Sequence, residues 1–173
     1  RFNVYTGKIV AVEALLRWNH PNWGRISPTE FIPVAEEMGS IVPIGEWVLR
    51  NVCKQSKLWA HEGVPSINIS INFSAQQFLQ KDLVQKINSI LLEHEVDART
   101  IEIEITESTI MENEATITNT LHDLRILGLS ISIDDFGTGY SALSYLRKYP
   151  VDAVKLDKSY IQDVTIENNA IVK

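Results

Sequence analysis

The residues best suited to chemistry in this chain are carboxylate and amide side chains that come late in alternating segments of the sequence. They are Glu13, Asn72, Glu104, Asp134 and Asp135. Oxygen donors of this kind, without thiolates or clustered histidines, suit Mg²⁺ or Mn²⁺ better than Zn²⁺. The four histidines are scattered and match no HExxH spacing. The pattern therefore predicts a divalent metal site built from separate segments of the chain.

The adjacent pair Asp134 and Asp135 bears on the number of ions. In an extended strand these two side chains point to opposite sides. Where the strand gives way to the loop around Gly137 and Gly139, both can reach a metal, so a two-ion site is conceivable. Two ions suit in-line displacement at phosphorus, because one activates water and both stabilise the charge. Lys155, inward on the next strand, would steady the nucleophile or a phosphoryl oxygen.

Five aliphatic or alternating segments supply the strands that position these side chains. The predicted strands are residues 8–18, 67–73, 101–106, 130–134 and 151–157. Helical patterns separate them, at residues 28–38, 44–61, 74–94, 113–127 and 142–148. Strands interrupted by helices favour parallel pairing through crossover helices over a hairpin sheet. No linker or domain boundary is visible in the sequence.

One face of each predicted strand is aliphatic, and the opposite face carries polar groups placed late in the strand. If the aliphatic faces pack on helices, the polar faces converge inside an α/β barrel. An open antiparallel sheet with one wet face explains the alternation equally well, but the intervening helices favour the barrel. Isolated carboxylates inside a barrel would cost on the order of several kcal/mol each unless a cation neutralised them. The interior therefore also indicates a metal.

Composition excludes several classes of protein. The chain has 173 residues, of which 45% are hydrophobic and 22% charged, as in an ordinary globular domain. A net charge of -6 argues against binding of duplex nucleic acid, although a single nucleotide could enter a metal-charged pocket. No apolar run approaches a membrane span or signal peptide, so we expect no membrane contact. Cys53, the single cysteine, excludes a disulfide within the chain and fits a reducing compartment.

Five blocks of sequence, in order and spread over nearly the whole chain, carry a resemblance to a known family. They read EALLRW, NFSAQQ, EIEITES, DDFGTGYSALSYL and VKLDKSY. At these residues the chain resembles the EAL-domain cyclic di-GMP phosphodiesterases. A lone EAL tripeptide would mean nothing, but DDFGTGYS together with EALLRW is highly specific. The resemblance implies a (β/α)₈ TIM-like barrel that hydrolyses the bacterial second messenger cyclic di-GMP to linear pGpG with Mg²⁺ or Mn²⁺, commonly inhibited by Ca²⁺.

The resemblance also assigns roles to particular residues. The family's metal ligands fall on the five positions that the strand faces select, and its catalytic lysine falls on Lys155. Arg17 matches the arginine that binds the substrate phosphate, a role that suits a cation at a strand end. Glu107 matches the active-site glutamate that steadies the loop 135–140, a segment tied to dimerisation and activity. Asp157 is a further candidate for substrate binding.

The chain departs from the family's pattern at both ends. Family members begin with a strand that carries a substrate-contacting glutamine, and this sequence starts at Arg1, just after it. They also continue past Lys173 through two more strands, which carry a further glutamate and glutamine. The chain's 173 residues fall short of the roughly 250 typical of eight strand and helix units. We therefore expect residues 1–173 to be a partial EAL domain, an incomplete barrel with about five parallel strands and intervening helices.

The resemblance places the complete protein in the bacterial cytoplasm, as a homodimer with fused sensory or GGDEF domains, and leaves open whether this chain is active alone. An EAL-like receptor that holds the nucleotide or a protein partner without turnover is the first alternative. Such relatives usually lack metal ligands or the loop, and here these residues stand. Another Mg²⁺-dependent barrel enzyme, such as an enolase-like lyase, is the second, but it would not reproduce the DDFGTGYS block.

Some of these residues also have ordinary structural explanations. Glu102 lies two residues deeper in its strand than Glu104, and we interpret it as structural. Glu107 could be an ordinary charge at the start of a helix. The tryptophans are expected to pack in the core or on helices rather than to stack on bases, and they are Trp18, Trp23, Trp47 and Trp59.

Overall fold

The computed structural model of the chain describes residues 1–112, 114–137 and 148–157. The strands in these residues are β1 (Ala11–Ala14), β2 (Trp18–His20), β3 (Gly24–Ile26), β4 (Asn68–Asn72), β5 (Ile101–Thr106), β6 (Ser130–Phe136) and β7 (Ala153–Leu156). The helices are α1 (Pro28–Glu37), α2 (Ile41–His61), α3 (Ala75–Phe78), α4 (Leu83–Glu93), α5 (Glu107–Glu112) and α6 (Glu114–Leu127). A 3₁₀ turn at Ala98–Thr100 leads into β5.

The described strands form one parallel sheet of five, in the order β1, β4, β5, β6 and β7, and a separate antiparallel hairpin of β2 and β3. Strands that follow one another in the sheet are neighbours, as expected when helical crossovers join them. The prediction of an incomplete α/β barrel with five parallel strands is confirmed. The alternative of an open antiparallel sheet is wrong.

The aliphatic faces of the strands pack under the helices, as the alternation predicts. Ile71, Ile103 and Ile131 come from three adjacent strands, and none is more than 1% exposed. Leu49 of α2 and Leu121 of α6 are equally buried in the same cluster. Full burial of each such side chain contributes roughly 1.5–3 kcal/mol. The helices therefore fix one face of the sheet and leave the other face to the polar residues.

The first strand is shorter than the sequence predicts. β1 ends at Ala14, and the rest of the predicted strand 8–18 leads into the β2–β3 hairpin, which was not predicted. Gly24 adopts a φ of 69°, a left-handed conformation that glycine allows at the end of the turn. Trp23 is 73% exposed and stacks on His20 with 4.1 Å between ring centroids. This tryptophan therefore lies outside the core, one of the two positions expected for it.

One predicted helical segment is divided in the structure, and a second is preceded by an additional short helix. The predicted helix 74–94 consists of α3 and α4, and Asp82 is the N-cap of the second. Both pieces bury an apolar residue, Phe78 and Leu83, so the apolar period continues across the break and hides it in the sequence. The predicted helix 113–127 is preceded by the short α5. The predicted helix 142–148 lies outside the described residues except for Lys148.

Burial of α2 against the sheet predicts an unreactive cysteine. Cys53 is 0% exposed, and burial raises the pKa of its thiol to about 11. At about pH 8 only roughly one thiol in a thousand is then the reactive thiolate. We expect a thiol-reactive dye to label the folded chain far more slowly than the chain in denaturant, as followed by absorbance. Equal labelling rates in the two conditions would contradict the position of this helix.

Candidate metal centre

Three carboxylates meet at the carboxyl ends of three strands. They belong to Glu13 of β1, Glu104 of β5 and Asp134 of β6, and one oxygen of each lies within 4.8 Å of the other two. Exposure differs sharply between them, because the side chain of Glu104 is 1% exposed and that of Glu13 is 33% exposed. The group thus has one buried carboxylate at its base and more accessible carboxylates above it. Such a set of oxygen donors suits a hard divalent cation.

Strand register explains why these side chains share one mouth of the sheet. Asn72 of β4 pairs with Glu104 of β5, and Thr106 of β5 pairs with Asp134 of β6. Residues two apart in a strand face the same side, so Glu104 and Asp134 point to the same face from neighbouring strands. Glu13 pairs with Ser70, two residues before Asn72. Alternation in the sequence is therefore sufficient to bring together residues that lie far apart in the chain.

Asn72 joins the group through a hydrogen bond. Its Nδ2 donates to Oε1 of Glu13 at 2.7 Å, across the β1–β4 pair. Because Nδ2 of Asn72 is turned toward Glu13, the amide oxygen of Asn72 can serve as a ligand for a cation. The structure thus brings together four of the five predicted ligands by direct geometry, namely Glu13, Asn72, Glu104 and Asp134.

Lys155 of β7 is the cation at the centre of this group. Its Nζ donates to Oε2 of Glu104 at 2.8 Å and to Oδ2 of Asp134 at 3.0 Å, and it lies 3.8 Å from Oε2 of Glu13. Burial lowers the pKa of Lys155, but the hydrogen bonds to the two carboxylates outweigh it and raise the pKa above its ordinary value. Lys155 therefore stays protonated at neutral pH. It can neutralise negative charge on the groups around it.

Glu104 has a buried oxygen that supports a metal ligand role. Among the residues that the structure describes, none meets hydrogen-bond geometry at Oε1 of this carboxylate, and the nearby hydroxyl of Ser70 donates to the carbonyl of Val12 at 3.3 Å. Burial raises the pKa of Glu104, and the neighbouring side chains of Lys155 and Ser70 oppose that rise. A buried carboxylate oxygen without a partner is costly unless something compensates it. The side chains present therefore fit a divalent ion bound at this oxygen.

Asp135 follows Asp134 in a bulge rather than in a regular strand. The pairing of β6 with β7 shifts by one residue between Ile133 and Phe136, and Asp135 adopts a left-handed φ of 53°. Its backbone N–H donates to Oδ1 of Asp134 at 3.0 Å. The bulge breaks the strict alternation of the strand, so neighbouring carboxylates need not point to opposite sides.

The carboxylate of Asp135 lies in an acidic environment. Partial burial raises its pKa, and the nearby charges of Asp134 and Asp157 raise it further. Asp157 directly follows β7, and its backbone N–H donates to the carbonyl of Phe136 at 3.4 Å. Asp135 and Asp157 therefore stand beside the group of three carboxylates, on the side of the β6–β7 pair.

Arg17 lies on the wall of a pocket that opens beside the metal centre. The pocket has a volume of about 320 Å³, and Asn72 and Glu104 also line it. The guanidinium of Arg17 is exposed, and its Nη1 donates to the backbone carbonyl of Leu16 at 2.8 Å. A cation at this position can contact an anionic group of a ligand in the pocket.

Glu107 is placed to hold the segment that follows β6. It is the first residue of α5, and its Oε2 accepts a hydrogen bond from the backbone N–H of Gly137 at 3.5 Å. The contact reaches the described part of the loop 135–140, and the role of Glu107 toward that loop stays a prediction. Gly139 and Tyr140 of that loop lie outside the described residues.

The structure also shows buried polar residues near the site that carry no predicted role there. Glu102 is 4% exposed, accepts a hydrogen bond from Oγ of Ser132 at 2.7 Å and forms an ion pair with Arg1. These partners agree with the structural interpretation of Glu102. Gln77 is 3% exposed and bonds to the turn after Asn72. The capping box that contains it was visible in the sequence, but its position beside the site was not.

Comparisons with known proteins identify the family. The model of the EAL domain family matches residues 1–173, so the chain belongs to the EAL domain family. It is 43% identical over 163 residues to the bifunctional diguanylate cyclase/cyclic di-GMP phosphodiesterase MucR of Pseudomonas aeruginosa, covering 94% of this chain and 24% of that protein. It is 37% identical over 160 residues to the cyclic di-GMP phosphodiesterase PdeR of Escherichia coli, covering 92% of this chain and 24% of PdeR.

A solved structure gives the same result for the fold. The PaMucR phosphodiesterase in a c-di-GMP complex superposes with a TM-score of 0.85 and 45% identity, covering 90% of this chain and 63% of that chain. The resemblance deduced from the sequence blocks is confirmed. The chain spans about a quarter of the length of the two curated relatives described above. Among the described residues, no helix is long and apolar enough to cross a membrane.

The metal centre predicts that Mn²⁺ stabilises the folded chain through Glu104. At Mn²⁺ about 100-fold above its dissociation constant, binding adds ~2.7 kcal/mol to the free energy of unfolding and raises Tm. We expect the Glu104→Gln variant to lose this rise in Tm, measured by calorimetry with and without Mn²⁺.

Glu102→Gln is the matched control, because it changes a buried glutamate on the same face of β5, two residues from Glu104. We expect it to lower Tm but to keep the rise that Mn²⁺ produces. An undiminished Mn²⁺ effect in Glu104→Gln would show that this carboxylate is not a ligand.

Proposed function

We propose that this chain is the part of an EAL domain that hydrolyses cyclic di-GMP to linear pGpG with the aid of Mg²⁺ or Mn²⁺. The observation that carries this proposal is the meeting of carboxylates from three strands around Lys155. Membership of the EAL family supports it, as do relatives named as cyclic di-GMP phosphodiesterases. The solved c-di-GMP complex of PaMucR phosphodiesterase supports the choice of substrate.

The ligands that would hold the metal are Glu13, Asn72, Glu104, Asp134 and Asp135. We propose that the first four hold one ion and that Asp135, beside Asp134 in the bulge, allows a second. When bound, such ions activate a water molecule and stabilise charge on a phosphoryl group. The unpartnered oxygen of Glu104 supports this assignment, because a cation would complete the coordination that the described protein groups leave open.

The remaining residues act on the substrate rather than on the metal. The ammonium of Lys155 is held cationic, so it stabilises negative charge that develops on a phosphoryl oxygen. Arg17 would bind a phosphate of cyclic di-GMP from the wall of the adjoining pocket. Asp157, next to Asp135, is proposed to contact the substrate at the same mouth.

Hydrolysis of one phosphodiester accounts for the product. The oxygen of water forms a new bond to phosphorus, the bond from phosphorus to the 3′ oxygen of the neighbouring ribose breaks, and that oxygen takes up a proton. The ring opens to linear pGpG with one terminal phosphate. Glu107 contributes by holding Gly137, and with it the segment after Asp135, in position.

We also propose the setting of the complete protein. Residues 1–173 would form part of a larger EAL domain in a cytoplasmic homodimer with fused sensory or GGDEF domains, and the loop held by Glu107 would take part in dimerisation. The bifunctional name of MucR supports the fused domains. So does the 37% identity to the oxygen sensor protein DosP of Escherichia coli.

Removal of one carboxylate should slow hydrolysis strongly. We expect Asp134→Asn to lower pGpG formation by at least ~100-fold, because it weakens both the metal site and the hydrogen bond from Lys155. Asp123→Asn, an exposed change on α6, is the control and should leave the rate unchanged. The measurement is chromatography of cyclic di-GMP incubated with Mg²⁺ and either this chain or a longer form that contains it.

Two results of that experiment would count against hydrolysis at this site. Wild-type turnover by Asp134→Asn would show that hydrolysis does not take place at the metal centre. Tight binding of cyclic di-GMP by the longer wild-type form with no pGpG would favour the non-catalytic receptor.

Lys155→Met should impair the chemical step more than substrate binding. Loss of one preorganised donor to a developing negative charge lowers kcat by about 10²–10³ in a well-studied hydrolase. We expect kcat to fall by that factor while KM changes by less than about threefold, measured by steady-state kinetics. Weakened binding with an unchanged kcat would contradict the role given to Lys155.

A further inference from the structure

A buried glutamine holds the turn that follows Asn72. Gln77 is the third residue of α3 and is 3% exposed. Its Oε1 accepts a hydrogen bond from the backbone N–H of Ser74 at 2.9 Å, and its own N–H donates to the carbonyl of Ser74 at 3.1 Å. The first of these bonds is the side-chain half of a capping box, which fixes where a helix begins. Here it also fixes the chain two residues beyond a proposed metal ligand.

The backbone amide of Phe73, which precedes Ser74, is bound by a residue of the candidate metal centre. The backbone N–H of Phe73 donates to the carbonyl of Glu104 at 2.9 Å. Two successive amides after Asn72 are therefore bound, the first by the residue that carries the buried carboxylate and the second by Gln77. Because these amides hold the backbone after Asn72, the side chain of Asn72 is directed toward Glu13, to which it donates a hydrogen bond. The side chain of Gln77 is thus one step removed from the ligands.

Gly45 of helix α2 lies in close contact with the side chain of Gln77. A Cβ atom added to Gly45 would lie 1.8 Å from Nε2 of Gln77, a distance that no real contact permits. Alanine is ordinarily preferred to glycine in the interior of a helix. Glycine at this position is explained by the close approach of the amide. Gly45 and Gln77 therefore form a buried contact between α2 and the turn at the metal centre.

We propose that Gln77, backed by Gly45, is a positioning residue that orients Asn72 for a divalent ion. This inference rests on the proposed metal-dependent function and adds to it the residues that set the geometry of the site. Gln77 touches neither the ion nor the substrate. Groups that orient metal ligands typically change metal affinity by 10–100-fold when they are removed. Gln77 acts in the same way, through the backbone of Ser74 rather than by a bond to the ligand side chain.

The test compares three substitutions in α3 of the 173-residue chain. Gln77→Leu keeps a similar side-chain size but loses the acceptor for Ser74, whereas Gln77→Glu restores an acceptor. Gln76→Leu makes the same chemical change at the neighbouring exposed glutamine and serves as the control. The readouts are Mn²⁺ affinity, from titration followed by electron paramagnetic resonance, and Tm without added metal.

We expect Gln77→Leu to weaken Mn²⁺ affinity by at least ~10-fold, Gln77→Glu to restore it to within about threefold, and Gln76→Leu to leave it unchanged. Gly45→Ala should also weaken Mn²⁺ affinity, since the added methyl group displaces the amide of Gln77. This variant provides the test if Gln77→Leu does not fold. Rescue by glutamate distinguishes positioning from a loss of stability alone.

Wild-type Mn²⁺ affinity in Gln77→Leu together with a lower Tm would overturn the inference, because Gln77 would then be structural only. Wild-type affinity in Gly45→Ala, or a Gln77→Glu variant that binds Mn²⁺ no better than Gln77→Leu, would overturn it as well. If Glu104→Gln lost Mn²⁺ binding and Gln77→Leu kept it, the inference about Gln77 would fail and the proposed function would stand. Absence of Mn²⁺ binding by the wild-type chain would overturn both.

Discussion

The rest of the structure depends on how the buried carboxylate of Glu104 is compensated. This side chain is 1% exposed, and its pKa is raised by burial. A buried charge is tolerated when an opposite charge and hydrogen bonds replace the lost water. Lys155 supplies both for one oxygen, and the other oxygen has no hydrogen-bond partner among the described residues. The carboxylates at the carboxyl ends of the strands therefore form a site that favours the binding of a cation.

Much of this arrangement could be predicted from the sequence, because it depends on a period of two. Glu104, Asp134 and Lys155 each share a strand face with other polar residues, and parallel pairing aligns the strand ends. No such period exists where the strand is irregular. Asp135 lies in a bulge with positive φ, a conformation that the segment DDFG does not reveal, so the relation of the two aspartates required the structure.

Other features could not be predicted, because the local signals continue across them. The aliphatic run 8–18 does not show where β1 ends, so the β2–β3 hairpin next to Arg17 was missed. The apolar period across residues 74–94 likewise conceals the break between α3 and α4. Gln77 is in close contact with Gly45, which lies far from it in the sequence. Contacts between segments far apart in the chain leave no local pattern in the sequence.

The most direct test of the account is the position of Mn²⁺ in crystals of the chain, located from its anomalous scattering. We expect an ion at the carboxyl ends of β1, β5 and β6, within coordination distance of oxygens of Glu13, Glu104 and Asp134. Soaked crystals with no ion at these oxygens, or with ions at unrelated surface carboxylates alone, would contradict the central claim that the strands converge to form a divalent metal centre.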